Sequence, residues 1–500
     1  MLSHLPILQV ILPLLGAPAC LILWRPRIAW AFSFFISALA FIISGLLLKQ
    51  VWQGGEIVYA LGGWEAPWGI EYRIDLLNAF LLLIVSGLST VVLAGARQSV
   101  AREIPAEKQT LFYVAWLLCL AGQLGILATG DAFNVFVFLE ISSLSTYTLI
   151  SLSRQREALW AAFQYLIVGT IGATFVLIGI GLMYMMTGTL NMADLAQRLP
   201  EVADTRTVFA AYAFIIVGVC LKLALFPLHA WLPNAYTFAP SVVTAFLAAT
   251  ATKVAVYLLI RFSFTVFGKD FSTFDVPLHS IFIGLGLIAV FSASTVAIMQ
   301  RNIKRAIAYS SVAQIGYMII GLGLGSVLGL QATLLHLFNH ALMKGALFMA
   351  MVAMMLRIGG ITVDDIAGLG KRMPVTALAF VTGGLSLIGV PLTVGFVSKW
   401  YLVSAAFSQG MWLVALLVVL GSLLAVMYIW RLVEIMYFRE SPEQAPRGEA
   451  PLTVLLPLLL LVLGNIYFGI DTRLPVSVTE AAASSLLVEA YQGVQVGGAK

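Results

Sequence analysis

The stretch Lys222-Leu-Ala-Leu-Phe-Pro227-Leu-His229-Ala-Trp-Leu-Pro233-Asn-Ala-Tyr236 closes an apolar run that starts near residue 207. A run of this length crosses the hydrocarbon of a bilayer, which takes about 20 residues. Yet it holds a lysine half-way along and two prolines. Proline has no N–H, so the carbonyls it frees must meet side chains or water. At membrane depth that is tolerated only where the segment is wrapped in protein or lines a cavity. The stretch therefore reads as a broken membrane span inside a bundle of other spans, with a charge near its middle.

Composition extends this reading to the whole chain. Of 500 residues, 61% are hydrophobic and only 10% charged, with a mean hydropathy of +0.99. So little charge cannot cover a soluble surface. The net charge of +5 is spread over short loops, which is no nucleic-acid footprint. Cys20, Cys119 and Cys220 lie far apart in apolar segments. Without a CxxC or Cys/His cluster, neither an iron–sulfur nor a zinc site is expected, and no cofactor. Ala17-Pro-Ala-Cys20 loosely resembles a lipoprotein processing site, but no basic residue precedes the apolar run, so a first membrane helix is expected instead.

The length criterion places spans near 2–23, 28–50, 75–96, 110–128, 131–152, 159–186, 207–236, 240–267, 278–299, 306–325, 327–356, 375–407, 411–438 and 452–470. The expected fold is an all-α polytopic membrane protein of about fourteen transmembrane helices. The largest pieces outside the membrane are 51–74, 187–206, 357–374 and a two-faced tail after Ile470.

Basic residues in the loops set the orientation. One side holds Arg25, Arg27, Arg97, Arg102, Lys108, Arg154, Arg156, Arg301, Lys304, Arg305, Arg357, Lys371, Arg372, Arg439 and Arg447, fifteen in all. The other holds eight: Lys49, Arg73, Arg198, Arg206, Arg261, Lys269, Arg473 and Lys500. The richer side is expected to be cytoplasmic, in a bacterial inner membrane, with both termini periplasmic.

Charges inside spans are costly, about 2.5–3.5 kcal/mol each at the bilayer centre, so each is a functional candidate. Glu140 lies about nine residues into the fifth span and Lys222 mid-way along the seventh, both in the central third of the membrane. A lone buried carboxylate would protonate and a lone buried lysine would lose its proton, whereas a pair shares an adjustable proton affinity. The plainer alternative is a static bridge between helices. Lys253 stands mid-way along the eighth span. His336, His340 and Lys344, in Leu334-Leu-His-Leu-Phe-Asn-His-Ala-Leu-Met-Lys344, are spaced i, i+4, i+8 on one helical face. Histidine titrates near neutral pH, and such a line with water between its members is a proton relay. Two histidines at i, i+4 could also bind a metal, but no carboxylate or cysteine completes a shell. Either alone could be a satisfied polar core residue.

The twelfth span carries Lys399 in its outer half, past Gly389, Pro391 and Gly395. Like the seventh, it is expected to be broken and holds a lysine. The two lie five spans apart and cross in opposite directions. That is the pattern of inverted five-helix repeats around a midplane pathway, dividing the chain into 1–109, 110–267, 278–438 and 439–500. The glycines of Gly321-Leu-Gly-Leu-Gly325 sit inside an apolar helix with no strand before them. They read as close helix packing rather than a nucleotide loop.

Several of these residues fall in an order that resembles a known family. They are Glu140 in Phe138-Leu-Glu-Ile-Ser-Ser143, Lys222 through Pro233, Lys253, Arg305-Ala-Ile-Ala-Tyr-Ser-Ser-Val-Ala-Gln-Ile-Gly-Tyr317, His336 through Lys344, and Lys399. From about residue 70 to 440 the chain resembles the antiporter-like subunits of respiratory complex I, membrane-bound hydrogenases and Mrp-type cation/proton antiporters. Lys399 and the lack of a long lateral C-terminal helix are most similar to the D-type Mrp subunits. Val390-Pro391-Leu392-Thr393 departs from the family, where a double proline is common. The resemblance implies fourteen helices with two inverted repeats, and one component of a larger complex rather than an enzyme of its own. It implies Glu140 and Lys222 as an ion pair whose opening drives translocation. It implies Lys253, His336 and His340 as relay and Lys399 as terminal lysine, with His229 and Lys344 as further candidates. The implied function is proton movement coupled to export of a monovalent cation such as sodium. The alternative is a proton-pumping module of a redox complex.

Overall fold

The computed structural model describes residues 2–23, 25–268, 271, 278–441 and 446–497. Lys269 and Lys500, counted above with the outer loops, lie outside that set. The described chain begins with α1 (Leu5–Ile22), α2 (Pro26–Gly54), strands β1 (Ile57–Ala60) and β2 (Glu71–Ile74), α3 (Leu76–Glu103), α4 (Gln109–Ala128), α5 (Ala132–Ser151) and α6 (Glu157–Thr187). It continues through α7 (Met192–Arg198), α8 (Arg206–Leu223), α9 (Trp231–Phe238), α10 (Ser241–Ile260), α11 (Leu278–Met299), α12 (Ile303–Gly323) and α13 (Val327–Ile358). It ends with α14 (Leu369–Arg372), α15 (Pro374–Ile388), α16 (Val394–Ser408), α17 (Trp412–Phe438), α18 (Leu452–Ile470) and α19 (Arg473–Gly497). Among the described residues, thirteen helices are long and apolar enough to cross a membrane. The remaining crossing is made by two 15-residue halves, α15 and α16. All fourteen expected spans are present.

Both expected breaks are real, and their chemistry is local. After Leu223 the chain turns left-handed at Ala224 (φ 59°), and after Ile388 it does so at Gly389 (φ 95°) and Leu392 (φ 69°). Ala224 and Leu392 are the positive-φ residues other than glycine among those described, a conformation that costs about 1 kcal/mol or more in an L-residue. The carbonyls exposed by each break find new donors. Trp231 Nε1 reaches Leu221 O at 3.0 Å, while Lys399 Nζ donates to Leu387 O (3.0 Å) and Ile388 O (2.8 Å). Pro233 is not part of the break. It lies in the first turn of α9, where no intrahelical partner for its N–H is needed.

Gly395 closes the second break. A Cβ there would fall 1.7 Å from the carbonyl oxygen of Ser386, which is backbone and cannot swing aside. Gly395→Ala is therefore expected to force the two halves apart and to cost about 1–3 kcal/mol, the usual range for overpacking, or more. Thermal unfolding of the assembled complex should show a lowered midpoint. Gly464→Ala, whose Cβ would meet only Leu342 at 3.7 Å, should not move it.

Helices α10, α12 and α13 are covered on nearly every side, as expected of helices apolar around their whole circumference. Lys253 of α10 and His336, His340 and Lys344 of α13 are thereby enclosed within the bundle. The outer crossings keep an apolar face exposed, for example Phe35, Ile42, Trp160, Leu423 and Leu456.

Several expectations need correction. The segment 51–74, expected only as a piece outside the membrane, carries a hairpin: β1 and β2 pair antiparallel with Ile57 opposite Ile74, and Tyr72 bridges to Thr129 at the α4–α5 turn. The fold is thus all-α save for one small hairpin. Arg261, Lys304 and Arg372, counted as loop charges, are buried. Arg261 is paired with Asp75 at 2.7 Å, which compensates its burial. The tail after Ile470 is two-faced as expected, and forms the helix α19 with Val478, Thr479, Ala482, Ala483 and Leu487 buried along one face.

Candidate functional site

The site begins where α8 ends. Lys222 is buried and its Nζ donates to Ser143 Oγ at 2.6 Å and to Tyr147 Oη at 3.4 Å. Both hydroxyls belong to α5 and stand three and seven residues after Glu140, on the same helical face. The expected direct pair with Glu140 is not formed: among the described residues no Glu140–Lys222 ion pair lies within 4 Å. Ser143 takes the ammonium one turn along instead, and Glu140 keeps a buried Oε1 with no hydrogen-bond partner. Carboxylate and ammonium are neighbours on one polar strip, not a closed bridge.

Beside Lys222 lies a cavity of ≈ 40 Å³, lined by Gln123, Ser142, Ser143, Thr146 and Tyr165 and by Ala251, Val254 and Leu258 of α10. Its polar walls and size suit ordered water, which needs about 10–15 Å³ and two to four polar partners. The buried Gln123 Oε1 has no protein partner, so one such partner is already placed. The cavity leads from Lys222 to the helix that carries Lys253.

Lys253 is fully buried, at 0% exposure, and its ammonium rests on the carbonyl of Ala248 in its own helix. Across from it, His340 is within electrostatic range of Lys253 and Lys344. His340 is also 0% exposed, and neither ring nitrogen has a partner. Its ring is parallel to that of His336, with centroids 6.1 Å apart and 3° between planes. His336 Nδ1 lies 2.9 Å from Ser398 Oγ while its Nε2 has no partner. Ser398 precedes Lys399, whose ammonium sits 4.8 Å over the Tyr317 ring. That ammonium is held at the carbonyl end of α15, the end of a helix that favours a cation.

The structure thus gathers these candidates in two groups: Lys222 bonds the strip of α5 that carries Glu140, and Lys253, His340, His336 and Lys399 lie near one another around α13. Two candidates stand aside. Lys344 turns away to Ile307 O (2.7 Å) and Ser310 Oγ (2.6 Å). His229 lies in the break between α8 and α9, stacked on Phe226 with centroids 5.1 Å apart. Sequence reading missed Ser143, Tyr147, Gln123, Ser398 and Tyr317. Only the i, i+3, i+7 polar strip of Glu140, Ser143 and Tyr147 offered a signal.

Fourteen crossings, two of them broken, around buried ionisable side chains define a polytopic membrane protein. Residues 129–425 match the family described as NADH:quinone oxidoreductase/Mrp antiporter, TM, and the chain belongs to that family. It is 41% identical over 488 residues to the N subunit of the NADH-quinone oxidoreductase of Desulforudis audaxviator, covering 94% of this chain and 96% of the relative. It is 28% identical to the D subunit of the Na(+)/H(+) antiporter of Bacillus subtilis, covering 97% and 98%. Among solved structures it matches a chain of the Mrp complex from Dietzia sp. DQ12-45-1b with a TM-score of 0.89 and 25% identity, over 97% of each chain. It matches a chain of the membrane-bound sulfane sulfur reductase, an archaeal respiratory membrane complex, with a TM-score of 0.88 and 32% identity, over 97% and 98%.

Proposed function

We propose that this chain is the proton-translocating component of a multisubunit membrane complex, passing protons along Glu140, Lys222, Lys253, His340, His336 and Lys399. One observation carries the reading. Glu140 Oε1, Gln123 Oε1, Thr252 Oγ1, Gln314 Oε1, His336 Nε2 and both nitrogens of His340 are buried without a protein partner. Each orphaned polar atom costs about 1–3 kcal/mol unless water meets it. So many within the spans of one bundle are tolerable only as the walls of a hydrated file. Protons enter from the cavity beside Lys222 and cross from Lys253 to the paired imidazoles. They leave at Lys399, whose ammonium is seated on the carbonyls of Leu387 and Ile388 at the end of α15.

The complex is proposed to be an Mrp-type assembly that exchanges protons for a monovalent cation, sodium by preference. The overall shape shared with the Mrp chain and the Bacillus subtilis relative support it. The second reading, a proton module driven by redox chemistry in neighbouring subunits, is favoured by the higher identity to the quinone-oxidoreductase relative. Purifying the native complex and assaying it in vesicles separates them. Sodium-dependent proton exchange without an electron donor supports the first. Proton movement only on addition of a reductant, with flavin or iron–sulfur subunits co-purifying, supports the second. The chain alone is expected to give no robust exchange in either case, and full activity from the chain by itself would refute a multisubunit function.

The site of action is proposed to be a bacterial cytoplasmic membrane with both termini periplasmic. A reporter active only in the cytoplasm and fused after Lys500 is expected to stay silent; a bright signal would reverse the orientation.

A further inference from the structure

Two charges outside the proton file sit at the wrong ends of their own helices. Glu103 is the last residue of α3, where the helix dipole disfavours an anion, and Lys304 is the second residue of α12, where it disfavours a cation. Each serves a neighbour's end instead. Glu103 Oε2 accepts from the backbone N–H of Ser241 (2.8 Å) and from its hydroxyl (3.0 Å), at the first residue of α10. Its other oxygen accepts from Ser99 Oγ at 2.5 Å. Lys304, 3% exposed, donates to Ala239 O at 2.7 Å, at the residue that follows α9. Ala239 and Pro240 are all that joins α9 to α10. The anion holds the far side of that two-residue joint and the cation holds the near side.

We propose that Glu103 and Lys304 are positioning residues, a charged latch that fixes the second half of the broken seventh crossing and thereby shapes the chamber around Lys222. The link runs through α9. Its first residue, Trp231, stacks on Tyr165 with centroids 3.8 Å apart and 2° between planes, and donates to Leu221 O beside Lys222. Tyr165 in turn lines the cavity that Lys222 faces. A shift of the joint therefore moves a wall of that chamber, although neither latch residue is itself in the file. Both bonds are charge-assisted and secure helix ends that have no partner within their own helices. Half-helix α9, only eight residues long, is too short to persist by its own hydrogen bonds and depends on such contacts from its neighbours, Asn234 to Gln164 at 2.8 Å among them.

The test uses the assembled native complex carrying Lys304→Met, Lys304→Arg or Glu103→Gln, read by backbone hydrogen exchange and by proton flux per complex. With Lys304→Met or Glu103→Gln, exchange over residues 231–240 should rise about tenfold or more while the rest of the chain is unchanged. Flux should fall about fivefold or more, as when a hinge support is lost. Lys304→Arg should restore both. Unchanged exchange at 231–240, a rise spread over the whole chain, unaltered flux beside a local rise, or no rescue by Lys304→Arg would each overturn the latch. The flux arm rests on the proton-translocation reading. If the wild-type complex moves no protons, that reading fails, and the exchange arm still decides whether the joint is latched.

Discussion

Lys222→Ala is expected to abolish proton flux in a complex that still assembles. The packing around Lys222 does not depend on its charge. Helices α6 and α8 meet backbone to backbone at Gly172 and Gly218, where a Cβ on either would fall 2.6–3.0 Å from the other's carbonyl oxygen. The ammonium itself bonds hydroxyls, not a carboxylate, so its loss strands no ion partner. Ser143 and Tyr147 can turn to water in the adjoining cavity. What disappears is the one group there that can hold and release a proton next to Glu140. A fall of about 10²-fold or more is expected, as for loss of a proton-transfer group. Glu140→Gln should behave alike, by removing the acidic group one turn before Ser143 on the strip of α5 that Lys222 bonds. Glu140→Asp keeps the charge with a shorter reach and should keep part of the flux. A static structural role predicts the opposite pattern: poor assembly or a lowered midpoint, with normal flux from whatever survives. Near-normal flux per assembled Lys222→Ala complex would end the mechanism.

The parts of this molecule that were legible in its sequence are those where the bilayer sets a price. Twenty apolar residues in a row announce a crossing, so fourteen crossings were read. A lysine or glutamate inside such a row announces a candidate site, and Glu140, Lys222, Lys253 and Lys399 stand out on that ground alone. Hydroxyls carry no comparable signal. Ser145 and Thr146 bond their own helix at Ile141 O and Ser142 O, and nothing in residue type sets Ser143 apart from them. That is why the true partner of Lys222 was missed and a direct pair with Glu140 expected. Charges near span ends were misplaced for a related reason. Lys304 and Arg261 border loops in the sequence, yet neighbouring helix ends and Asp75 draw them inward. The hairpin escaped because strands of four residues are too short for alternation to register. Proline was over-read: Pro227 and Pro391 mark breaks, while Pro233 begins a helix.

His340→Leu is expected to leave the complex at least as stable as the wild type and to stop proton flux. His340 is fully enclosed and presents two ring nitrogens to which the protein offers nothing. A leucine removes both orphaned atoms, so up to about 1–3 kcal/mol per unsatisfied group is recovered if the site is dry. That gain shrinks to the extent that water already meets them, while lost van der Waals volume offsets some of it. Function should move the other way. His340 is the station between Lys253 and His336, whose ring it parallels at 6.1 Å, and an alkyl side chain there excludes water and carries no proton. His340→Gln keeps a donor and an acceptor without a titrating group. It should preserve a hydrogen-bonded file of water and part of the flux. A merely structural histidine predicts normal transport in both variants, with any defect tracking stability. The decisive pair of measurements is the unfolding midpoint and the flux per assembled complex for His340→Leu. Normal flux at any midpoint would remove His340 from the path, and with it the link from Lys253 to Lys399.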